Sequence, residues 1–171
     1  MPKTAPPRPR IAEAKRTFCI VASRFNAQFV DGLVDHTMQE LRALAPDAAI
    51  STHRVPGAFE IPVVVRELTS RENMDAVIAC GVILKGETNH AQNLSRSVTD
   101  ALQRVAVERC VPVINVVLSF DDEDQARPRC LENKINRGTE AARAAVEIAN
   151  VMSGLRSKQG AAVSKPTSDD G

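Results

Sequence analysis

The stretch AVIACGVIL, residues 76–84, is nine apolar or small residues in a row, without one polar side chain. A strand of that composition has no face to give to water, so both its faces must be covered, as they are in a parallel sheet packed between helices. The run is also far short of the roughly 20 apolar residues that cross a bilayer, and no other stretch approaches that length. The rest of the chain must therefore supply flanking strands and covering helices.

It does so in alternation. TFCIVAS (17–23) reads as a strand, and residues 27–44 follow with Phe29, Val30, Leu33, Val34, Met38, Leu41 and Leu44 along one helical face. AAISTHRV (48–55) is a weaker, more polar strand that suits a sheet edge, and Pro62 fits the first position of a second helix. After the 76–84 strand, Leu94, Val98, Ala101, Leu102 and Val105 keep helical spacing, and VPVINVVLSF (111–120) is a fourth strand. Ser119 and Asp122 are spaced as a capping box for the next helix. Two helices close the pattern, one short and acidic (about 121–131) and one alanine-rich (about 138–153). Four strand–helix units predict one parallel sheet with right-handed crossovers and helices on both faces, an α/β three-layer sandwich.

A chain of 171 residues suits a single domain, here from about 15 to 155. Residues 1–14 hold four of the ten prolines and read as a flexible arm, and 156–171, polar and small throughout, as a disordered tail. With 22 basic residues against 21 acidic, the net charge of +1 makes no field to draw nucleic acid or an anionic membrane. The start MPKTAPPRPR has no apolar core of a secretion signal, so a cytoplasmic protein is expected. Cys19, Cys80, Cys110 and Cys130 lack C-x-x-C spacing, which favours reduced, packed thiols over disulfides or a metal site.

Open parallel sheets bind ligands outside the carboxyl ends of their strands, so the loops there should carry the chemistry. After the first strand stands SRFN, where Phe25 can stack on a planar ligand or act as a core lid. After the second stands VPGAFEIP, which brings Ala58, Phe59 and Glu60 toward a helix N-terminus. Glu60 there is either a helix-dipole partner or an acceptor for ligand hydroxyls. After the third, Gly86 lets the chain turn, and the N–H groups of Gly86, Glu87 and Thr88 can cradle an anion such as phosphate. The Glu87 charge opposes phosphate unless its side chain turns outward. His90 falls in the first helical turn, where the dipole favours neutral imidazole and a phosphate would favour imidazolium. Such a group suits a proton shuttle, or else is structural, as His36 and His53 are read to be. After the fourth strand, Arg127 and Arg129 stand in an acidic segment, each able to pair with those acids or to hold phosphate. Pro128 between them should kink or end the helix.

SRFN, VPGAFEIP, GVILKGETNH, QARPR and NRGTEAARAAVEIANV, in this order and after these strands, resemble the lumazine synthases of riboflavin synthesis, over about residues 16–152. The resemblance implies a flavodoxin-like fold and a transferase. It would condense 5-amino-6-(ribitylamino)uracil with 3,4-dihydroxy-2-butanone 4-phosphate to 6,7-dimethyl-8-ribityllumazine, phosphate and water, without cofactor or metal. By motif, Phe25 would stack on the pyrimidine, Ala58, Phe59 and Glu60 would hold the ribityl chain and ring edge, and Val82, Ile83 and Leu84 would line the ring pocket. Backbone at Glu87 and Thr88 would bind phosphate together with Arg129. His90 would move protons, and Glu140 would stand near the site. The family also implies a homopentamer or a multiple of it, with small-molecule substrates bound between adjacent subunits.

The chain departs from the pattern in two places. Where the family commonly has an aromatic and an acid after the histidine, Ala91 and Gln92 stand here, and Asn115 replaces a usually apolar pocket residue. These changes motivate a second reading, a paralogue that binds flavin-like ligands without this catalysis.

Overall fold

A computed structural model describes residues 7–10, 15–71, 73–86 and 89–163. Four strands, β1 (Thr17–Ser23), β2 (Ala49–Val55), β3 (Ala76–Leu84) and β4 (Val113–Phe120), form one sheet in the order β2-β1-β3-β4, and every neighbouring pair is parallel. The helices are α1 (Ala27–Leu44), α2 (Ile61–Arg71, entered through a 3-10 turn at Ala58–Glu60), α3 (His90–Arg109), α4 (Glu123–Cys130) and α5 (Arg137–Val163). This is the three-layer α/β sandwich of flavodoxin-like type, with β3 inside the sheet as its unbroken apolar run requires.

Side-chain alternation assigns the layers. Phe18, Ile20 and Ala22 of β1 and Ile78 and Cys80 of β3 point into a core shared with α1, α4 and α5. Cys19, Val21, Val77 and Ala79 point the other way, into a core shared with α2 and α3. Fully buried residues such as Phe18, Ile20 and Ile78 each contribute about 1.5–3 kcal/mol of transfer free energy. Strand β2, exposed at Ser51, Thr52, His53 and Arg54, lacks that source and is held mainly by its ladder with β1.

At the amino ends of the strands, away from the loops of interest, buried Arg16 reaches Asp75 at 3.3 Å and Asn150 of α5 at 2.9 Å. Asp75 also accepts the Thr17 N–H at 2.8 Å, so one charged cluster ties β1, the start of β3 and α5 together. Arg8, in the proline-rich start, meets Glu40 of α1 at 3.1 Å, and Arg143 of α5 meets the same carboxylate at 2.9 Å. Cys19, Cys80 and Cys130 are buried free thiols and Cys110 is an exposed one. Burial pushes the Cys80 and Cys130 thiols up to about 12, which keeps both protonated and inert.

Three local expectations are corrected. Ser119 is a residue of β4, paired with Ile83, and caps nothing; Asp122 caps α4 alone, its carboxylate accepting the Gln125 N–H at 2.8 Å. Pro62 is the second residue of α2, after the 3-10 turn. Helix α5 runs to Val163, so 156–163 are helical where a tail was expected. Nothing in SGLRSKQGAAV breaks a helix until Pro166, and Gly154 costs only about 1 kcal/mol relative to Ala. Residues 164–171 lie outside the described residues. Pro128 lies inside α4, which ends two residues later at Cys130.

Candidate functional site

The parallel registers put Ser23 beside Val55 and Leu84 beside Phe120, so the carboxyl-end loops open on one edge of the sheet. Three main features stitch the first of them in place. Arg24 N–H donates to Val55 O at 2.8 Å, and Phe25 N–H to Pro56 O at 3.2 Å. Asn26, in the left-handed region at φ 55°, donates through Nδ2 to Val82 O at 2.8 Å. Asn is among the few side-chain residues that take this conformation readily, and an amide there also joins β1 to β3.

Replacing Asn26 by Gly should keep the dihedral and lose only the hydrogen bond, about 1 kcal/mol. Asn26→Ala should cost roughly a further 1–2 kcal/mol for the left-handed backbone. Urea midpoints of the two variants would check this order, and a Gly variant less stable than the Ala variant would contradict it.

The second loop closes on itself. Glu60 Oε2 accepts the Gly57 N–H at 2.9 Å, so the carboxylate holds the Ala58–Glu60 turn ahead of α2 and still faces the space between the loops. That space is a cavity of about 530 Å³, within the range of small-molecule sites. Among the residues singled out in the sequence it brings together Phe25, Ala58, Phe59, Glu60, Val82, Ile83, Leu84 and His90. Asn26, Gly57, Gly86, Ala91 and Leu94 complete the described lining.

Phe25 and Phe59 are 72% and 65% exposed, the two most solvent-exposed aromatic rings among the described large apolar residues. Rings left in water beside an apolar cavity are surfaces for a flat ligand to cover. His90, the first residue of α3, is exposed on the same cavity.

Other expected residues stand elsewhere. Asn115 points from β4 toward α3, donating to Thr99 Oγ1 at 3.1 Å and accepting the Val117 N–H at 2.9 Å. Arg129 donates to Gln125 O at 2.9 Å, one turn back in α4. Glu140, in the first turn of α5, is ion-paired with Arg137, both largely withdrawn from solvent. None of the three lines the cavity that holds His90. Glu87 and Thr88 lie outside the described residues.

A second, polar groove of about 520 Å³ runs between the start of α3 and the end of β4. Here Gln125 Nε2 donates to Asp121 at 3.2 Å and Lys85 approaches it at 3.3 Å. The Gln125 bond first, and Lys85 second, hold that carboxyl below the usual carboxylate range. Among the described residues no cluster of three His, Cys, Asp or Glu side chains could hold a metal, and no helix is long and apolar enough to cross a membrane.

A parallel α/β sandwich with a largely apolar, aromatic-flanked cavity where the strand order reverses between β1 and β3 defines a small-molecule-binding protein of the flavodoxin-like class. A sequence model of the family described as 6,7-dimethyl-8-ribityllumazine synthase matches residues 15–153. Three curated relatives bearing that name are similar over most of their length. The protein of Methylibium petroleiphilum is 38% identical over 80% of this chain and 83% of its own. That of Nitrosomonas europaea is 40% identical over 78% and 79%, and that of Aquifex aeolicus 39% identical over 81% and 91%. The chain belongs to the 6,7-dimethyl-8-ribityllumazine synthase family.

Proposed function

We propose that this chain catalyses the condensation of 5-amino-6-(ribitylamino)uracil with 3,4-dihydroxy-2-butanone 4-phosphate, giving 6,7-dimethyl-8-ribityllumazine, phosphate and water. The observation that carries the reading is the single cavity that unites a flat-ligand platform, Phe25 and Phe59, with His90 at the start of α3. The chemistry needs an amine to add to a ketone, water to leave, and phosphate to be expelled. Each step moves protons at neutral pH, and holding two small substrates together supplies much of the rate.

In this reading the pyrimidine stacks on Phe25, with its edges read at Val82 to Leu84 and its ribityl chain along Ala58, Phe59 and Glu60. The phosphate sits on backbone N–H groups at Glu87 and Thr88, at the positive end of α3. His90 takes the proton from the attacking amine and returns protons to the leaving oxygens. Mixing both substrates with the protein and following lumazine absorbance tests the reading, and no product above the uncatalysed rate would sink it.

We also propose a homopentamer, or a multiple of it, with the site between subunits. Arg129, Asn115 and Glu140 do not line the cavity of their own chain, and an adjacent subunit is what would bring them to one. Sedimentation of the purified chain as a monomer would count against it.

Arg129→Ala should raise the KM for the ketone phosphate about tenfold or more, the worth of a charge-assisted contact of roughly 1.5–3 kcal/mol, with little effect on the KM for the pyrimidine. Equal effects on both substrates would move the phosphate to Arg127 or leave Arg129 a structural role.

A further inference from the structure

The cavity and the polar groove are lined by different residues with one exception among those described: Ala91 faces both. It is the second residue of α3, only 9% exposed, and its methyl group is packed in the core formed with α2. On the cavity side it adjoins His90; on the groove side it adjoins Asn89 and Gln92. Among the described residues Ala91 alone borders both spaces, each of some 500 Å³.

The position decides which substrate lies nearest that shared boundary. The flat ring belongs against Phe25 and Phe59. The start of α3, with Gly86 and His90, is the end of the site given above to the carbonyl substrate and its phosphate. The groove is not itself a second phosphate site, because Lys85 and Arg96 in it are balanced by Asp100 and Asp121, and Lys85 is already paired with Asp121. With hydroxyl and amide groups such as Thr99 and Gln92 alongside, it suits uncharged carbon and hydroxyl groups.

We propose that Ala91 is a specificity-determining residue for the carbonyl substrate, and that its small side chain admits hydroxyketone phosphates one carbon larger than the butanone phosphate. This rests on the reaction proposed above. With the ethyl-ketone homologue the same two C–N bonds form and the same C–O bond to phosphate breaks. Phosphate and two waters leave, no oxidant or reductant is required, and the product carries an ethyl group in place of a methyl.

The test compares kcat/KM for the butanone phosphate and its ethyl-ketone homologue, at saturating pyrimidine, in the wild-type assembly and in Ala91→Leu and Ala91→Phe. A pocket closed around its substrate rejects one extra methylene by roughly 10–200-fold. The wild type should discriminate by less than about tenfold, and the Leu and then the Phe variant should widen the ratio by about tenfold or more. A merely structural role would lower both kcat/KM values together and leave the ratio fixed. Leu keeps the test open if Phe prevents folding. A wild type that already rejects the homologue about a hundredfold, or a ratio unmoved in the folded variants, would overturn the proposal. Failure of the wild type to turn over the butanone phosphate itself would instead remove the reaction, and the proposal with it.

Discussion

His90→Ala should lower kcat by roughly 10²–10⁴-fold, the usual worth of a placed general acid–base group, while leaving the affinity for the pyrimidine largely intact. The separation follows from the lining. His90 enters the cavity from the first turn of α3, whereas Phe25 comes from the loop after β1, Phe59 from the turn before α2, and Val82 to Leu84 from β3. Removing the imidazole would therefore subtract the proposed proton carrier and leave the two aromatic rings in place. Single-turnover rates with both substrates, set beside equilibrium binding of the pyrimidine alone, would separate the two. A rate that does not change takes His90 out of proton transfer, and a parallel loss of pyrimidine binding makes it part of the ring site.

The layers were legible in the sequence because burial leaves a period. A run as apolar as residues 76–84 has only one place in an α/β sheet, and the seven apolar positions from Phe29 to Leu44 lie on one side of α1, six of them buried or nearly so. The weak pattern of β2 likewise matches an edge strand that buries little. What could not be read was set by contacts distant in sequence or by choices between adjacent polar residues. Ser119 and Asp122 both suit a cap, and only the pairing of Ser119 with β3 decides between them.

Phe25, Glu60 and His90 share one cavity because topology alone brings residues at strand ends together. Asn26 carried a signal that went unused, an Asn between a strand and a helix, where a left-handed residue turns the chain. Asn115 illustrates the opposite case. Position within a motif placed it at a substrate, while the alternation of β4 turns it toward Thr99 of its own chain. Motif order carries no statement about which subunit's cavity a residue serves.

The start of α5 packs closely on α1. Asn136, buried before the helix, donates to Cys130 O at 3.0 Å and to Glu132 O at 3.1 Å and accepts the Gly138 N–H at 2.8 Å. The Thr37 hydroxyl of α1 donates to Gly138 O at 3.1 Å, so a side chain of α1 meets the backbone of α5 here. A Cβ on Gly138 would stand 2.3 Å from Leu33 O, which belongs to the α1 backbone and cannot swing aside. Gly138→Ala should therefore destabilise by about 1–3 kcal/mol, against the usual gain from Ala in a helix. That is a fall in Tm of roughly 2–12 °C at fixed protein concentration. In the assembly proposed above, where Glu140 serves an adjacent subunit's cavity, it should also lower activity, because Arg137 and Glu140 ride on the same turn. Gly154, in the same helix with nothing within 4 Å of its would-be Cβ, should respond oppositely, Ala there being neutral or stabilising by up to about 1 kcal/mol. Opposite signs would tie the effect to the α1–α5 contact, since helix propensity alone predicts a gain at both positions. If both substitutions raised Tm, α5 would have to sit farther from α1 than 2.3 Å allows.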